Sequence, residues 1–319
     1  MGNVLVTSSH FEELCQPAWD LLREAGHEVV LYRGKLPYMS FEEIAAVIGD
    51  IDAAIVGLDR WTEDVWRIAP RLKAVAKFGV GTDNIDGESA RRYGVKVLNA
   101  PGINANAVAE LTVGLMLDML RGVTEQHNLV AAGTWPRFMG GELAGKTVGL
   151  MGFGAVAKVA ARMLRGFETR TIAYDLYPDR DAAQALGVEL TSFEEVVRRS
   201  DILSIHVPCT PETTHLFDDA LFAQMKRGAY LVNAARGAIV DTAALLRALA
   251  SGQIERAALD AFETEPLSPD DPLIRSGRVL CTPHTGAETR ETYEKVSLCA
   301  AQGVIDVLAG REPRYWVNR

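Results

Sequence analysis

Three side chains that could together assist the reduction of a carbonyl by a hydride donor follow three separate apolar segments in the second half of the sequence. The first segment is followed by Arg236, the second by Glu265 and the third by His284. A guanidinium can hold a carboxylate and polarise a neighbouring carbonyl. An imidazolium can give a proton to the forming alkoxide, and a carboxylate beside it orients the ring and favours its charged form. These residue types predict the interconversion of a 2-oxo acid and a 2-hydroxy acid.

A glycine-rich pattern that could hold a dinucleotide precedes these three residues. Gly152, Gly154 and Ala157 form GxGxxA between a strand pattern and the start of an apolar helix pattern. Gly152 permits a tight turn, Gly154 lets the backbone approach a pyrophosphate, and Ala157 allows close helix packing. Asp175 stands 21 residues after Gly154, where a carboxylate binds ribose hydroxyls and repels a 2′-phosphate. The pattern predicts NAD rather than NADP.

Each of these residues also has an ordinary structural interpretation. Asp175 could close a strand at the surface, Arg236 could be a surface residue, and His284 a loop histidine. Glu265 could be a turn carboxylate beside Pro266. Because the three side chains each follow a separate strand pattern behind a dinucleotide motif, the catalytic interpretation is favoured.

The elements that must position these residues form two series of alternating strand and helix patterns. Strands are predicted at residues 4–7, 29–32, 53–56, 72–76 and 95–98, with helices at 11–25 and 41–48. A second series has strands at 147–151, 171–174, 202–206, 230–233, 257–259 and 279–281. The fold class predicted is α/β, with two doubly wound parallel sheets. The helix pattern at 107–121 is apolar almost all round, so we expect it to be buried between domains or against a partner subunit.

Composition excludes several other classes of protein. The 319 residues include 33 Lys and Arg against 42 Asp and Glu, which gives a net charge of −9 and argues against nucleic acid as a partner. No apolar stretch approaches the length of a membrane span, and no targeting segment is recognisable at the N-terminus. The four cysteines form neither a CxxC pair nor a metal-ligand pattern. We therefore expect a cytoplasmic protein without a metal site.

Taken together, the motifs resemble those of the D-isomer-specific 2-hydroxyacid dehydrogenase family, which includes phosphoglycerate, glyoxylate/hydroxypyruvate and D-lactate dehydrogenases. The resemblance extends over almost the whole chain. It rests on residues 79–86 (GVGTDNID), 101–104 (PGIN), 107–110 (AVAE), 206–208 (HVP), 233–237 (NAARG), 265–266 (EP) and 282–284 (TPH). Such a set in this order is highly specific.

The resemblance implies roles for individual residues. Arg236, Glu265 and His284 would be the catalytic group, and Asp260 would contact the nicotinamide amide. The implied cofactor-binding residues are Gly152, Gly154, Ala155, Val156, Asp175, Val207, Pro208, Thr213, Ala234, Ala235, Arg236, Asp260, His284 and Gly286. The implied substrate-binding residues are Val80 and Gly81 through their N–H groups, Asn104, Arg60 and Arg236.

The resemblance also implies a domain order and an assembly. A Rossmann-type NAD-binding domain, residues 101–287, would be inserted into a flavodoxin-like substrate domain, residues 1–100 and 288–319. Closure between the domains would exclude water from the substrate. We expect a homodimer joined through the helix at 107–121, and we expect Trp135 to pack structurally rather than to shape a partner's pocket.

Two departures from the family pattern disfavour phosphite oxidation and formate oxidation. Val80 stands where phosphite-oxidising relatives carry a catalytic lysine, and Glu265 is a carboxylate where formate-oxidising relatives carry an amide. Both departures favour the hydroxy-acid branch. Arg60 lies where phosphoglycerate-type members bind the substrate phosphate; it could equally be a surface arginine at a helix start, offset by Asp59.

Two functions from different classes remain. The first is an NAD-dependent dehydrogenase of a small D-2-hydroxy acid, with a phosphoglycerate-, glyoxylate- or hydroxypyruvate-like substrate. The second is an NADH-sensing binding protein with little turnover, like the corepressors that share this fold; those carry long extensions that are not expected here. The identity of the acid is not encoded in any motif, because one methylene changes discrimination by only about 1–3 kcal/mol.

Overall fold

The computed structural model describes residues 2–32 and 38–319, and the chain divides into two compact units. One unit consists of Met1–Asn104 together with Ala287–Arg319, and is called here the split unit. The other consists of Ala105–Gly286, and is called the inserted unit because its sequence falls between the two sequence segments of the split unit.

Each unit is built on one parallel sheet. The strands of the split unit are β1 (Asn3–Val6), β2 (Glu28–Leu31), β3 (Ala53–Val56), β4 (Ala74–Lys77) and β5 (Lys96–Leu98). The strands of the inserted unit are β6 (Thr147–Met151), β7 (Arg170–Tyr174), β8 (Glu189–Leu190), β9 (Ile202–Ile205), β10 (Ala229–Asn233), β11 (Ile254–Leu259) and β12 (Val279–Cys281). The predicted α/β class with two parallel sheets is confirmed.

Helices connect the strands of both sheets. They are α1 (Phe11–Leu14), α2 (Gln16–Glu24), α3 (Phe41–Val47), α4 (Glu63–Arg67), α5 (Gly87–Arg92), α6 (Ala105–Arg121), α7 (Val123–Ala131), α8 (Ala155–Leu164), α9 (Arg180–Leu186), α10 (Phe193–Arg199), α11 (Asp219–Gln224), α12 (Thr242–Ser251), α13 (Pro272–Arg275) and α14 (Arg290–Leu308). Single 3-10 turns occupy Ile48–Asp50, Arg165–Phe167 and Gly237–Ile239. In the described part of the chain, no helix combines the length and the apolarity that crossing a bilayer requires.

The split unit has the strand order β2-β1-β3-β4-β5, the flavodoxin-like order of a doubly wound sheet. Its inner strands are buried on both faces, so neighbouring side chains enter different cores. Val4 and Val6 join the core beneath α14, whereas Leu5 joins the core on the opposite face. This two-sided burial explains why the strands appear in the sequence as continuous apolar segments rather than alternating ones.

The inserted unit has the order β12-β11-β10-β9-β6-β7-β8, which is the Rossmann order with one strand added at an edge. Between β6 and β9 the chain order reverses, and ligands of open α/β sheets bind at the carboxyl ends beside such a reversal. The sequence predicted six strands here; the seventh, Glu189–Leu190, has only two residues and therefore produces no recognisable apolar pattern.

The helix predicted over residues 11–25 is wrong as one element. The structure has two helices that separate at Cys15, whose backbone leaves the helical region (φ −119°, ψ 31°). Pro17 lies in the first turn of the second helix. Proline has no N–H to donate and is tolerated there, whereas inside a continuous helix it would break a hydrogen bond.

Helix α6 packs against its own unit. Met116 and Leu120 join one core with Leu150 and Phe153 of the cofactor motif's strand and turn, and with Ala157 of α8. The all-round apolarity of α6 therefore does not by itself require a partner subunit.

Candidate active site and cofactor turn

The three predicted catalytic residues lie on neighbouring turns at one edge of the inserted unit's sheet. Strands β10, β11 and β12 are adjacent and parallel, with Asn233 paired to Leu259 and Leu259 paired to Cys281. Parallel strands end at the same edge of a sheet, so the turns that follow these three strands lie side by side. The turns carry Arg236, Glu265 and His284 respectively.

His284 and Glu265 form a direct pair. The Nδ1 atom of His284 lies 2.9 Å from one carboxylate oxygen of Glu265 and 3.1 Å from the other. An ionised carboxylate only accepts hydrogen bonds, so Nδ1 carries the proton and Nε2 remains for another partner. The two side chains are about one-third exposed, at 33% and 31%. The pair therefore presents one imidazole nitrogen at the edge of the sheet.

The carboxyl group of Glu265 favours its charged form despite partial burial. Burial raises the pKa of Glu265, but the hydrogen bonds from His284 and from the N–H of Phe262 lower it, as do the charges of His284 and Arg236. The net result is a pKa below the ordinary value of 4.5. Glu265 is thus negatively charged at neutral pH and can stabilise an imidazolium at His284.

The turn that carries Arg236 is braced by the buried residue Asn233. The side chain of Asn233 accepts a hydrogen bond from the N–H of Ala235 at 3.0 Å and donates one to the carbonyl of Arg236 at 2.9 Å. A Cβ atom at Gly237 would lie 1.9 Å from the carbonyl carbon of Phe262. Only glycine therefore lets the turn after β10 touch the turn after β11, which holds Arg236 and Glu265 close together.

Asp260 braces the turn that carries His284. Its carboxylate is almost fully buried and accepts hydrogen bonds from the Thr282 hydroxyl at 2.6 Å, the Thr285 N–H at 2.8 Å and the Gly286 N–H at 2.8 Å. His284 itself has a left-handed backbone, with φ of 54°. A non-glycine residue occupies that region only where its surroundings hold it, and the bonds to Asp260 on both sides supply that constraint.

Two further histidines lie near the same edge. Burial lowers the pKa of His206 to about 4, so this ring is neutral near neutral pH and cannot serve as a proton donor. His215 forms a pair with Glu263 at 2.5 Å, but through Nε2, the ring nitrogen farthest from its backbone. His284, unlike His206 and His215, is therefore paired with a carboxylate through Nδ1 and leaves Nε2 for another partner.

The glycine-rich turn fits a dinucleotide pyrophosphate. Gly152 has φ of 97°, and a Cβ atom there would lie 2.8 Å from the backbone of His206. At Gly154 a Cβ atom would meet nothing within 4 Å, so the space in front of the turn is open. Helix α8 begins at Ala155, and no side chain caps its N-terminal N–H groups. Open space before uncapped N–H groups at a helix N-terminus is what a phosphate anion requires.

Asp175 lies where the sequence motif placed it, directly after β7. Its carboxylate accepts the N–H of Phe153 at 2.7 Å and the N–H of Tyr177 at 2.8 Å. The first bond attaches Asp175 to the glycine-rich turn itself. A carboxylate has about four acceptor positions, so two remain for ribose hydroxyls.

The other predicted cofactor residues line the ends of β9 and β10. Val207, Pro208 and Thr213 belong to the turn after β9, where the Thr213 hydroxyl donates to the carbonyl of Pro208 at 2.7 Å. Ala234 and Ala235 follow β10 and are half-buried. Val156 lies in the first turn of α8.

The predicted substrate-binding residues Val80, Gly81, Asn104 and Arg60 lie in the split unit. Val80 and Gly81 follow β4, and among the described residues neither N–H group has a hydrogen-bond acceptor. Arg60 is exposed in the loop after β3, and α4 begins only at Glu63, so the alternative of a helix-start arginine is wrong. Asn104 is the last residue before α6.

The sequence analysis named Asp260 as a cofactor contact but missed its bracing role, and it assigned no role to Asn233. Asn233 was present in the quoted NAARG motif, and an amide that ends an otherwise apolar strand is the signal that could have identified it. The contacts of Asp260 with Thr282, Thr285 and Gly286 had no signal, because they join segments more than 20 residues apart in sequence.

The fold and the glycine-rich turn define a dinucleotide-binding α/β protein of the Rossmann class. Residues 113–286 match the family model "D-isomer specific 2-hydroxyacid dehydrogenase, NAD binding domain". The chain belongs to the D-isomer-specific 2-hydroxyacid dehydrogenase family and contains its NAD-binding domain.

Relatives and solved structures support this assignment. The chain is 38% identical to glyoxylate reductase of Thermofilum pendens, over 95% of this chain and 92% of that protein. It is also 38% identical to D-3-phosphoglycerate dehydrogenase of Archaeoglobus fulgidus, over 96% of this chain but 58% of that protein. The chain thus spans little more than half of the length of such phosphoglycerate dehydrogenases. The crystal structure of the TT0316 protein from Thermus thermophilus superposes with a TM-score of 0.90, 36% identity and 99% coverage of both chains.

Proposed function

We propose that this protein is an NAD-dependent dehydrogenase that interconverts a small D-2-hydroxy acid and the corresponding 2-oxo acid. The observation that carries the proposal is the pairing of His284 Nδ1 with the Glu265 carboxylate at 2.9 Å. Glu265 stands on the turn next to that of Arg236. The similarity to proteins named glyoxylate reductase and D-3-phosphoglycerate dehydrogenase supports it.

In the direction of reduction, each of the three residues has a separate task. Arg236 would hold the substrate carboxylate and polarise the carbonyl. His284 would give the proton on Nε2 to the carbonyl oxygen, and Glu265 would keep the ring oriented and charged until then. NADH, when bound, supplies the hydride that the carbonyl carbon accepts. In the direction of oxidation, neutral His284 would take the hydroxyl proton instead.

We further propose that the pyrophosphate lies at the turn formed by Gly152 and Gly154, with donors from Ala155 and Val156. Asp175 would bind the adenosine ribose and disfavour NADP. The turn residues Val207, Pro208, Thr213, Ala234, Ala235 and Gly286 would surround the remainder of the cofactor. Both oxygens of Asp260 already accept hydrogen bonds within the protein, so a contact with the nicotinamide amide would use a remaining lone pair.

Within the split unit, the N–H groups of Val80 and Gly81 are the candidates for binding the substrate carboxylate. Arg60 is the candidate for a substrate phosphate. It is exposed, and among the described residues it has no ion-pair partner. Asp59 does not offset its charge as the sequence suggested, because that carboxylate is buried and bonded to Thr7 and Met39. Asn104, the last residue before α6, is a further candidate for contact with the substrate.

We also propose a homodimer in a reducing, cytoplasmic compartment. Trp135 and Met139 are 83% and 95% exposed, and Val123 of α7 is 59% exposed. The expectation that Trp135 packs structurally is wrong, and an exposed apolar group of this kind is typical of a protein contact. All four cysteines are free thiols, as expected in a reducing compartment. Light scattering of the purified protein, with Trp135→Ser as comparison, tests the assembly.

The loss of NADH absorbance on mixing with separate 2-oxo acids tests the function. Glyoxylate, hydroxypyruvate, phosphohydroxypyruvate and pyruvate are the acids to compare, with NADPH beside NADH. We expect turnover with at least one acid, a D-configured product and a preference for NADH. NADH binding without turnover of any acid would contradict the proposal and favour a binding protein.

A further inference from the structure

A buried lysine lies directly beneath the turn that presents Val80 and Gly81. Lys77 ends strand β4, and its residue is only 8% exposed. Its ammonium donates to the carbonyl of Gly57 at 2.5 Å and to the side-chain oxygen of Asn84 at 2.9 Å. A buried charge is costly unless it is hydrogen-bonded, so a lysine in this position needs a structural or functional reason.

Asn84 extends this contact to the loop that follows β3. Its amide donates to the carbonyl of Gly57 at 3.1 Å and also to the carbonyl of Asp59. The backbone repeats the connection, since the N–H of Trp61 donates to the Asn84 carbonyl at 2.8 Å. Lys77 and Asn84 thus form a clamp between the loop after β3 and the turn after β4, called here the lysine clamp.

The far side of the same turn is held by the segment that follows β5. The side chain of Asn99 donates to the carbonyl of Val80 at 2.8 Å, and the N–H of Ala100 donates to the carbonyl of Gly79 at 2.8 Å. These bonds use the carbonyl groups of the turn. Its N–H groups at Val80 and Gly81 are left pointing away from them, without an acceptor among the described residues.

We propose that Lys77 and Asn84 are positioning residues for recognition of the substrate carboxylate. The clamp fixes the turn, so that the N–H groups of Val80 and Gly81 are already oriented to bind an anion. The ammonium of Lys77 adds a positive charge beneath these N–H groups. This inference rests on the proposed function. In it, the lysine clamp increases the affinity of the protein for the acid and takes no part in hydride transfer.

Lys77→Met is the decisive variant, because it removes the charge and the hydrogen bonds to Gly57 and Asn84 while keeping a flexible side chain of similar length. The Gly57 carbonyl keeps its bond from Asn84, so the fold is expected to survive. We expect KM for the preferred 2-oxo acid to rise about tenfold or more, with kcat within about threefold. The Kd for NADH, measured by fluorescence titration, should not change.

Hydrogen exchange of the turn provides a readout that does not depend on activity. Peptides that cover residues 78–86 should exchange faster in Lys77→Met than in the unsubstituted protein, because the clamp opens more often. Asn84→Ser is the second variant, to be measured in the same way if Lys77→Met fails to fold. Lys77→Arg, which keeps the charge and the donors, should restore part of the affinity.

Arg71→Met is a matched control in the same unit. Arg71 forms an ion pair with Asp52 at 2.8 Å, but Asp52 precedes β3 and so lies at the opposite edge. This variant should lower stability without raising KM. An equal rise of KM in Arg71→Met would overturn the inference, and so would an unchanged KM or unchanged exchange in Lys77→Met. If the unsubstituted protein turns over no acid at all, the proposed function fails first.

Discussion

The carboxyl edges of the two sheets are built by the same topology but present different chemical groups. At the edge of the inserted unit, the ionisable side chains of Arg236, Glu265 and His284 stand on turns. His284 is hydrogen-bonded to Glu265, and the charge of Arg236 acts on the same carboxylate. At the edge of the split unit, the turn after β4 presents backbone N–H groups at Val80 and Gly81, while the ionisable groups Lys77 and Asp59 are buried beneath it.

The difference shows how one architecture can separate catalysis from recognition. A group that must exchange a proton needs contact with substrate, so His284 is accessible. A group that only fixes a turn serves best when buried, where its hydrogen bonds are not in competition with water. Both edges nevertheless use a buried polar residue as a brace, Asp260 in the inserted unit and Lys77 in the split unit. Changes at the first edge should therefore lower kcat, whereas changes at the second should raise KM.

The largest effect is expected from His284→Ala. Without the proton donor, kcat for reduction should fall about 10²- to 10⁴-fold, a much larger change than any in the Kd for NADH. His215→Ala is the matched control, because His215 also pairs with a glutamate at 2.5 Å near the same edge. We expect that control to keep kcat within about threefold. A similar loss in both variants would contradict the assignment of the acid to His284.

Gly237→Ala should follow, because a Cβ atom there would lie 1.9 Å from the carbonyl carbon of Phe262. The turns of Arg236 and Glu265 must then separate, and misplacement of this kind lowers kcat by about 10²-fold. The melting temperature should fall as well. Gly166→Ala, where a Cβ atom meets nothing within 4 Å, is the neutral comparison. Unchanged kcat in Gly237→Ala would show that contact between the two turns is dispensable.

Glu265→Gln should have a smaller effect on kcat, about tenfold at neutral pH, because the amide can still hold the imidazole but carries no charge. Steady-state rates of reduction at neutral pH, compared with those of the wild type, check this expectation. An unchanged kcat would mean that the charge of Glu265 is dispensable and that the residue only orients the ring.

The same substitution tests the pKa of Glu265 through stability. The folded-state pKa lies below the ordinary value of 4.5, so the stabilisation by the charged form is complete above that pH. It is lost as the pH falls through the lowered folded-state value. The difference in unfolding free energy between wild type and Glu265→Gln should thus be constant at neutral pH and shrink in acid. Denaturant titrations at several pH values measure it.

Arg60→Ala should have the smallest effect, and only on recognition. KM for phosphohydroxypyruvate should rise about tenfold if Arg60 binds a phosphate, whereas KM for glyoxylate should not change. The kcat values for both acids should remain within about threefold. Equal KM values for the variant and the wild type with both acids would leave Arg60 as a surface residue.

The sequence determined the parts of this protein that depend on local pattern. The continuous apolar segments predicted two parallel sheets because buried strands carry no polar alternation. GxGxxA with Asp175 predicted the NAD-binding turn, since the spacing follows from one strand–helix–strand unit. The residue types and order of Arg236, Glu265 and His284 predicted the candidate site before any geometry was known.

Only the tertiary structure decided what holds these groups in place. The bonds from Asp260 to the turn of His284, the contact of Gly237 with Phe262, and the clamp of Lys77 on Gly57 each join segments 20 or more residues apart in sequence. No periodicity or motif encodes such pairs, because they depend on which strands become neighbours and in which register. The packing of α6 against its own unit also depends on the tertiary structure. An apolar helix surface predicts that the helix is buried, but it does not predict which element covers it.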